Sequence, residues 1–223
     1  MASSSSPVPV YSFPSYTRME AAIDHALHVV ALAAAVAAAV WLLLIASPAG
    51  NDAQAFGHIV YAGALIGTLA ASAAYTLSPP GRRKELLRRV DHAMIFMMIA
   101  GSYTPFTILV FGAPDGLLAC LPVWAMAAIG IAVTLAYPRR FERPLFVLYV
   151  VMGWTVLAMA RGFATHLTTP VLCLLLAGAA AYSIGACVHA VRQFRFQNVV
   201  WHTLVLLGAS LHWMAVAQAD TRL

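Results

Sequence analysis

Three pairs of polar residues have types and spacings that could do chemistry. Ser72 and Thr76 are four apart in SAAYTLSPP, Asn198 and His202 are four apart in FQNVVWH, and Asp91 and His92 are adjacent in RRVDHAMIF. A four-residue step puts two side chains on one face of a helix. Serine, histidine and aspartate together have the composition of an acyl-transfer centre, with Ser72 as nucleophile and Asp91 and His202 handling its proton. Histidine and carboxylate can also activate a water directly or hold a metal, with His202 as a ligand. No oxyanion hole or nucleophile elbow can be read from a helical segment, so both readings stay open at this point.

The elements that carry these residues follow from composition. Of 223 residues, 62% are apolar and 9% are charged, against about 25% charged in an ordinary globular domain. That balance excludes a soluble fold, which needs a polar coat, and fits a bilayer, which needs an apolar one. Seven apolar segments follow one another: 23–46, 55–77, 92–111, 117–136, 145–161, 170–191 and 199–219. Each is long enough for a spanning helix, and AVAAAVWLLLIA lacks the in–out alternation of a barrel strand. The expected architecture is an all-α integral membrane bundle of seven transmembrane helices over 21–223.

Residues 1–20, rich in Ser and Pro, read as a flexible cytoplasmic tail. They do not read as a cleavable signal, because the apolar run after them is too long and begins too far in. Cys120, Cys173 and Cys187 have no CxxC spacing, so neither a disulfide framework nor a zinc ribbon is indicated.

Eleven of the 13 basic residues fall in the N-terminal tail and the second, fourth and sixth connections, leaving Arg161 and Arg222 on the other side. Basic residues in short loops stay in the cytoplasm, which places the N-terminus inside and the C-terminus outside, as expected of a plasma membrane protein. The net charge of +5 is thereby explained by topology and contact with membrane lipids rather than by nucleic acid.

With this topology, Ser72, Thr76, Asp91, His92, Asn198 and His202 reach one depth near the cytoplasmic ends of three helices, as expected of a polar pocket. Of the eight acids only Asp24 and Asp91 stand at the start of spans, where an ionisable side chain needs a reason. Asp91 is expected to pair with His202 or with Arg88 or Arg89. His212, deep in the seventh segment beside Gly208, Ala209 and Ser210, reads as an interhelical hydrogen-bonding residue on a close-packed face. IAGSYTPF in the third segment carries Pro105, which either bends the helix or lines a cavity above Asp91.

MEAAIDHALH, SAAYT, LLRRVDHAMIFMMIAGSYTPF, MGW, YSIGACVHA and WHTLVLLGASLHWMAV together resemble the hemolysin III family. That family is the bacterial branch related to the progestin and adipoQ receptors and, more distantly, to alkaline ceramidases. The resemblance covers the chain from Glu20 onward. It implies a seven-helix bundle with the N-terminus inside and a zinc site near the cytoplasmic face. Two of the implied histidine ligands fall at Thr76 and Asn198, the third at His202, and Asp91 helps hold a water.

Thr and Asn are poor zinc ligands, so the expectation is a degenerate, metal-free pocket without a cofactor, with His28, His92 or His189 as the substitutes available. A role in lipid sensing or membrane homeostasis follows. The alternatives are a zinc-dependent hydrolase of a lipid amide or ester, of ceramidase type, and a cytolytic pore. The apolar middle depths of the segments give the pore little support.

Overall fold

The computed structural model describes residues 13–46, 51–137, 139–191 and 194–219. Residues 1–12 of the expected tail, together with Arg192 and Arg222, lie outside them. The described residues form helices and no strands.

Helix α1 (Arg18–Trp41) opens with a capping box. The Thr17 hydroxyl accepts from the Glu20 amide at 3.3 Å and the Glu20 carboxylate accepts from the Thr17 amide at 2.8 Å, so two donors at the helix start are satisfied reciprocally. A π-helical turn, Leu42–Ala46, extends it. Helix α2 (Asp52–Leu77) is capped by Asn51 and stops before Pro79 and Pro80. There the Lys84 ammonium donates to the Thr76 and Ser78 carbonyls at 3.3 and 2.8 Å, satisfying the end of the helix. Helix α3 (Arg82–Phe111) and α4 (Ala113–Ala136) follow. The fifth span is broken into α5 (Glu142–Trp154), a 3-10 segment (Thr155–Met159) and α6 (Ala160–His166). Helix α7 (Thr169–Val191) and α8 (Gln197–Ala219) complete the bundle. Counting the broken fifth span once, seven stretches among the described residues are long and apolar enough to cross a bilayer.

Helix α3 is the axis of the fold. Of its apolar window 67% is buried, against 6% for the fifth span, so α3 is wrapped by protein while α5 and α6 face outward. It packs between α2 and α4, α1 lies against α2 and α8, and α7 lies against α8. Lipid gives little hydrophobic reason for helices to associate, so close approach of small residues carries the packing. A Cβ on Gly116 would stand 2.4 Å from the Thr107 carbonyl oxygen, and one on Gly101 would stand 2.6 Å from the Ala64 methyl.

The IAGSYTPF segment resolves into a packing role. Pro105 is fully buried against Gly57, and the only α3 residues lining the pocket described below are Asp91 and Ile95. Tyr103 next to it repairs the break in the fifth span. Its hydroxyl lies 3.0 and 3.1 Å from the Met152 and Gly153 carbonyls and accepts from the Val156 amide at 2.7 Å. The segment expected to be one helix over 145–161 is interrupted where these freed backbone groups find that hydroxyl. Tyr103→Phe leaves them buried without a partner, at a cost of about 1–3 kcal/mol. A lowered midpoint of thermal unfolding in detergent is the expected result, and an unchanged midpoint would remove the hydroxyl from this role.

His212 is interhelical, as its depth suggested. Its Nε2 donates to the Leu175 carbonyl of α7 at 3.2 Å, and its ring meets Tyr182 edge-on at 5.4 Å. Gly208 packs against Tyr182 in that contact and Ala209 is buried, whereas Ser210 is exposed.

Candidate functional site

The polar site forms at the end of the bundle that carries most of the basic loop residues. On α1, Glu20, Asp24 and His28 recur every four residues and so share one face. Glu20 reaches the start of α8, where its Oε1 accepts from the Phe196 amide at 2.8 Å. Phe196 is in the left-handed region, with φ 61°, an uncommon conformation for a bulky residue. The bond to Glu20 helps hold it there and sets the register that turns Asn198 and His202 toward α1.

Asp24 is the hub. One carboxylate oxygen is 2.6 Å from His202 Nδ1, and the other accepts from Asn198 Nδ2 at 2.8 Å. His28 Nδ1 lies 2.7 Å from the Asp24 backbone carbonyl and 3.7 Å from its carboxylate. A carbonyl only accepts, so Nδ1 of His28 carries a proton, and in the neutral ring Nε2 is an acceptor. That atom faces the Ser72 hydroxyl at 3.2 Å and the Thr76 hydroxyl at 3.5 Å. The two imidazoles meet edge-on at 4.3 Å. Asp24 and His28 are both buried, so burial and hydrogen bonding combine to fix these rings.

A cavity of about 60 Å³ lies beside them, bounded by His28, Ser72, Asp91 and His202 on its polar side and by Leu69 and Ile95 among its apolar walls. It has room for a few waters or one small polar group.

Each residue singled out in the sequence has a place relative to this network. Ser72, Asp91 and His202 line the cavity. Thr76 and Asn198 hydrogen-bond to α1 from behind it. His92 is absent from the cavity lining; its Nδ1 donates to the Arg88 carbonyl at 2.8 Å and lies 3.6 Å from the Asp91 carboxylate. The expected pairing of Asp91 with His202, Arg88 or Arg89 does not form; its ion-pair contact is with His92, and Arg89 lies 3.8 Å from Glu85. His202 is held by Asp24, and Arg88 is held by Glu85 and Glu142. The imidazole beside Ser72 is His28 rather than His202. Reading the sequence missed Asp24 and His28 as the centre of the site. The signal available was their four-residue spacing, the same as that of Ser72 with Thr76 and Asn198 with His202.

The family model described as Haemolysin-III related matches residues 17–213. This chain belongs to the haemolysin-III-related family. It is 32% identical over 133 residues to "Hemolysin-3" of Bacillus cereus, covering 60% of this chain and 61% of that protein. It is 29% identical over 135 residues to "Hemolysin-3 homolog" of Bacillus subtilis (strain 168), covering 60% and 63%. The chain thus spans about three fifths of the length of the curated relatives it matches. Family and helices together make it a multi-pass membrane protein.

The zinc centre implied for haemolysin-III relatives can be tested against these side chains. Two of its three ligand positions hold a hydroxyl, Thr76, and an amide, Asn198, each already hydrogen-bonded to α1. The three-histidine set therefore does not fit this member of the family. A different group is present: one ligand-type atom from each of Asp24, His28 and His202 lies within 4.8 Å of the other two.

Proposed function

We propose that this haemolysin-III-related protein acts in lipid sensing or membrane homeostasis through a polar pocket that works without the three-histidine zinc centre. The observation that carries this reading is the engagement of Asp24, each of whose carboxylate oxygens has a hydrogen-bond partner, Asn198 on one and His202 on the other. A neutral amide at position 198 completes a hydrogen-bonded network where an imidazole would have served a metal. The cavity beside it is small and polar on one side, suited to one head-group atom cluster from the adjoining leaflet. The asymmetry of basic loops supports a plasma membrane setting with this pocket on the cytoplasmic side.

Elemental analysis of the purified protein tests the reading, with no stoichiometric zinc as the expected result. Thr76→His combined with Asn198→His rebuilds the three-histidine set with His202 and is expected to raise the zinc content to a single ion per chain. Stoichiometric zinc in the unaltered protein would overturn the proposal.

A second reading, hydrolysis of a lipid amide or ester, draws on the 3.2 Å approach of Ser72 to His28, within reach for proton transfer from a nucleophile. Release of fatty acid from such lipids that is abolished by Ser72→Ala and by Asp91→Ala would establish it in place of the first. The names of the two Bacillus proteins make leakage of dye from loaded liposomes the corresponding measurement for a cytolytic pore.

A further inference from the structure

Helix α1 supplies a metal-binding side chain beside each position where the implied zinc set lacks one. His28 Nε2 is 3.5 Å from the Thr76 hydroxyl, and an Asp24 carboxylate oxygen is 2.8 Å from the Asn198 amide nitrogen. His202, the one retained histidine, is within 2.6 Å of Asp24. We propose that Asp24, His28 and His202 form an exchangeable divalent-cation site, with α1 in place of the missing ligands of α2 and α8.

Geometry sets how such a site is filled. Zinc bonds to imidazole nitrogen and carboxylate oxygen are about 2.0–2.2 Å, so tetrahedral donors stand roughly 3.3 Å apart. The Asp24 to His202 distance of 2.6 Å is a hydrogen bond and has to open by about 0.7 Å on metal uptake. The widest separation, up to 4.8 Å, has to close. Both changes are within reach of side-chain torsions, because the three side chains meet where α1 is flanked by α2 and α8. Uptake of the ion would release the proton between Asp24 Oδ1 and His202 Nδ1 to solvent, while the Asn198 amide keeps its bond to the other Asp24 oxygen. Ser72 and Asp91, which line the adjoining cavity with His28 and His202, would hold a water beside the ion. Hydrogen bonds must be broken first, so the site is empty after isolation without added metal and fills when metal is supplied. This goes beyond the metal-independent pocket proposed above. A resident zinc ion would contradict that reading, whereas failure to take up added metal would contradict only this one.

The test uses the full chain in detergent, stripped with a chelator and titrated with Co2+ as an optical probe and then with Zn2+. The expected result is saturation at a single ion per chain, a tetrahedral cobalt absorption band, and a rise in unfolding temperature with Zn2+. Asp24→Asn, His28→Gln and His202→Gln should each weaken uptake by about tenfold or more, while His92→Gln leaves it unchanged. If a variant fails to fold, X-ray absorption of the zinc-loaded native protein decides, with two imidazole nitrogens and a carboxylate oxygen expected around the ion. The proposal is overturned by non-saturating uptake, by binding that survives both Asp24→Asn and His28→Gln, or by an absorption spectrum showing one or no imidazole.

Discussion

Asp24→Ala is expected to destabilise the folded protein by about 3 kcal/mol, because it strips a buried hub from the groups that depend on it. His202 Nδ1 and the Asn198 amide both lose their acceptor, and α1 loses its polar tie to α8 at this depth. The Glu20 bond to Phe196 remains, so the helices stay neighbours while the site loosens. Asp24→Asn keeps one carbonyl oxygen as acceptor and should cost less, about 1–2 kcal/mol. Asp91→Asn should cost least of the three, since Asp91 lies at the cavity wall and its nearest ionisable partner is His92 at 3.6 Å. Thermal unfolding in a common detergent ranks the three variants. A midpoint for Asp91→Asn below that for Asp24→Ala would mean that the hub has been placed on the wrong carboxylate.

This ranking also marks what was legible in the sequence. The seven spans could be read because each is a long run of apolar residues, and a bilayer leaves such runs few alternatives to helix. Ser72, Asp91 and His202 could be placed at a common depth for a related reason: depth follows from position along a helix and the direction of each crossing. Azimuth is what composition does not carry. Whether Asp24 faces α8, α2 or lipid depends on how α1 is rotated against its neighbours, and α1 is alanine-rich on several sides with no sharp apolar stripe to fix that rotation.

The break in the fifth span was hidden for a comparable reason. MGWTVLAMA has the apolarity of a continuous helix, and the interruption depends on a hydroxyl from α3, Tyr103, that comes close only in the folded bundle. IAGSYTPF stands out in the sequence for its polar groups and proline, but these serve backbone repair and packing away from the pocket. Thr104 illustrates this: its hydroxyl accepts from the Trp124 indole at 3.2 Å and bonds the Ala100 carbonyl at 3.1 Å.

The largest stability effect is expected nearly two turns outside the pocket, at Glu85. This carboxylate is 2% exposed and accepts from Arg88 at 3.0 and 3.2 Å and from Arg139 at 2.8 Å. It thereby joins the start of α3 to the connection between α4 and α5. Removing one partner of a buried ion pair costs about 3–5 kcal/mol, and here it leaves the buried Arg88 with only the half-exposed Glu142 as counter-charge. Glu85→Ala should therefore lower the unfolding midpoint more than Glu142→Ala does. Glu142 also binds Arg88, at 2.9 Å, but its side chain is 46% exposed, and exposed pairs contribute about 0–1 kcal/mol. Added salt should narrow the effect of Glu142→Ala and leave that of Glu85→Ala nearly unchanged, because screening acts on the solvated pair.

The double variant Glu85→Met with Arg88→Met separates the cost of an orphaned charge from the worth of the pair itself. Buried ion pairs replaced whole by apolar side chains of similar volume are often tolerated, and Arg139, with a side chain 42% exposed, can turn to water. The double variant should recover most of the stability that Glu85→Ala loses. If it does not, the buried pair is itself needed to hold α3 against the α4–α5 connection, and through α3 to hold Asp91 at the wall of the pocket.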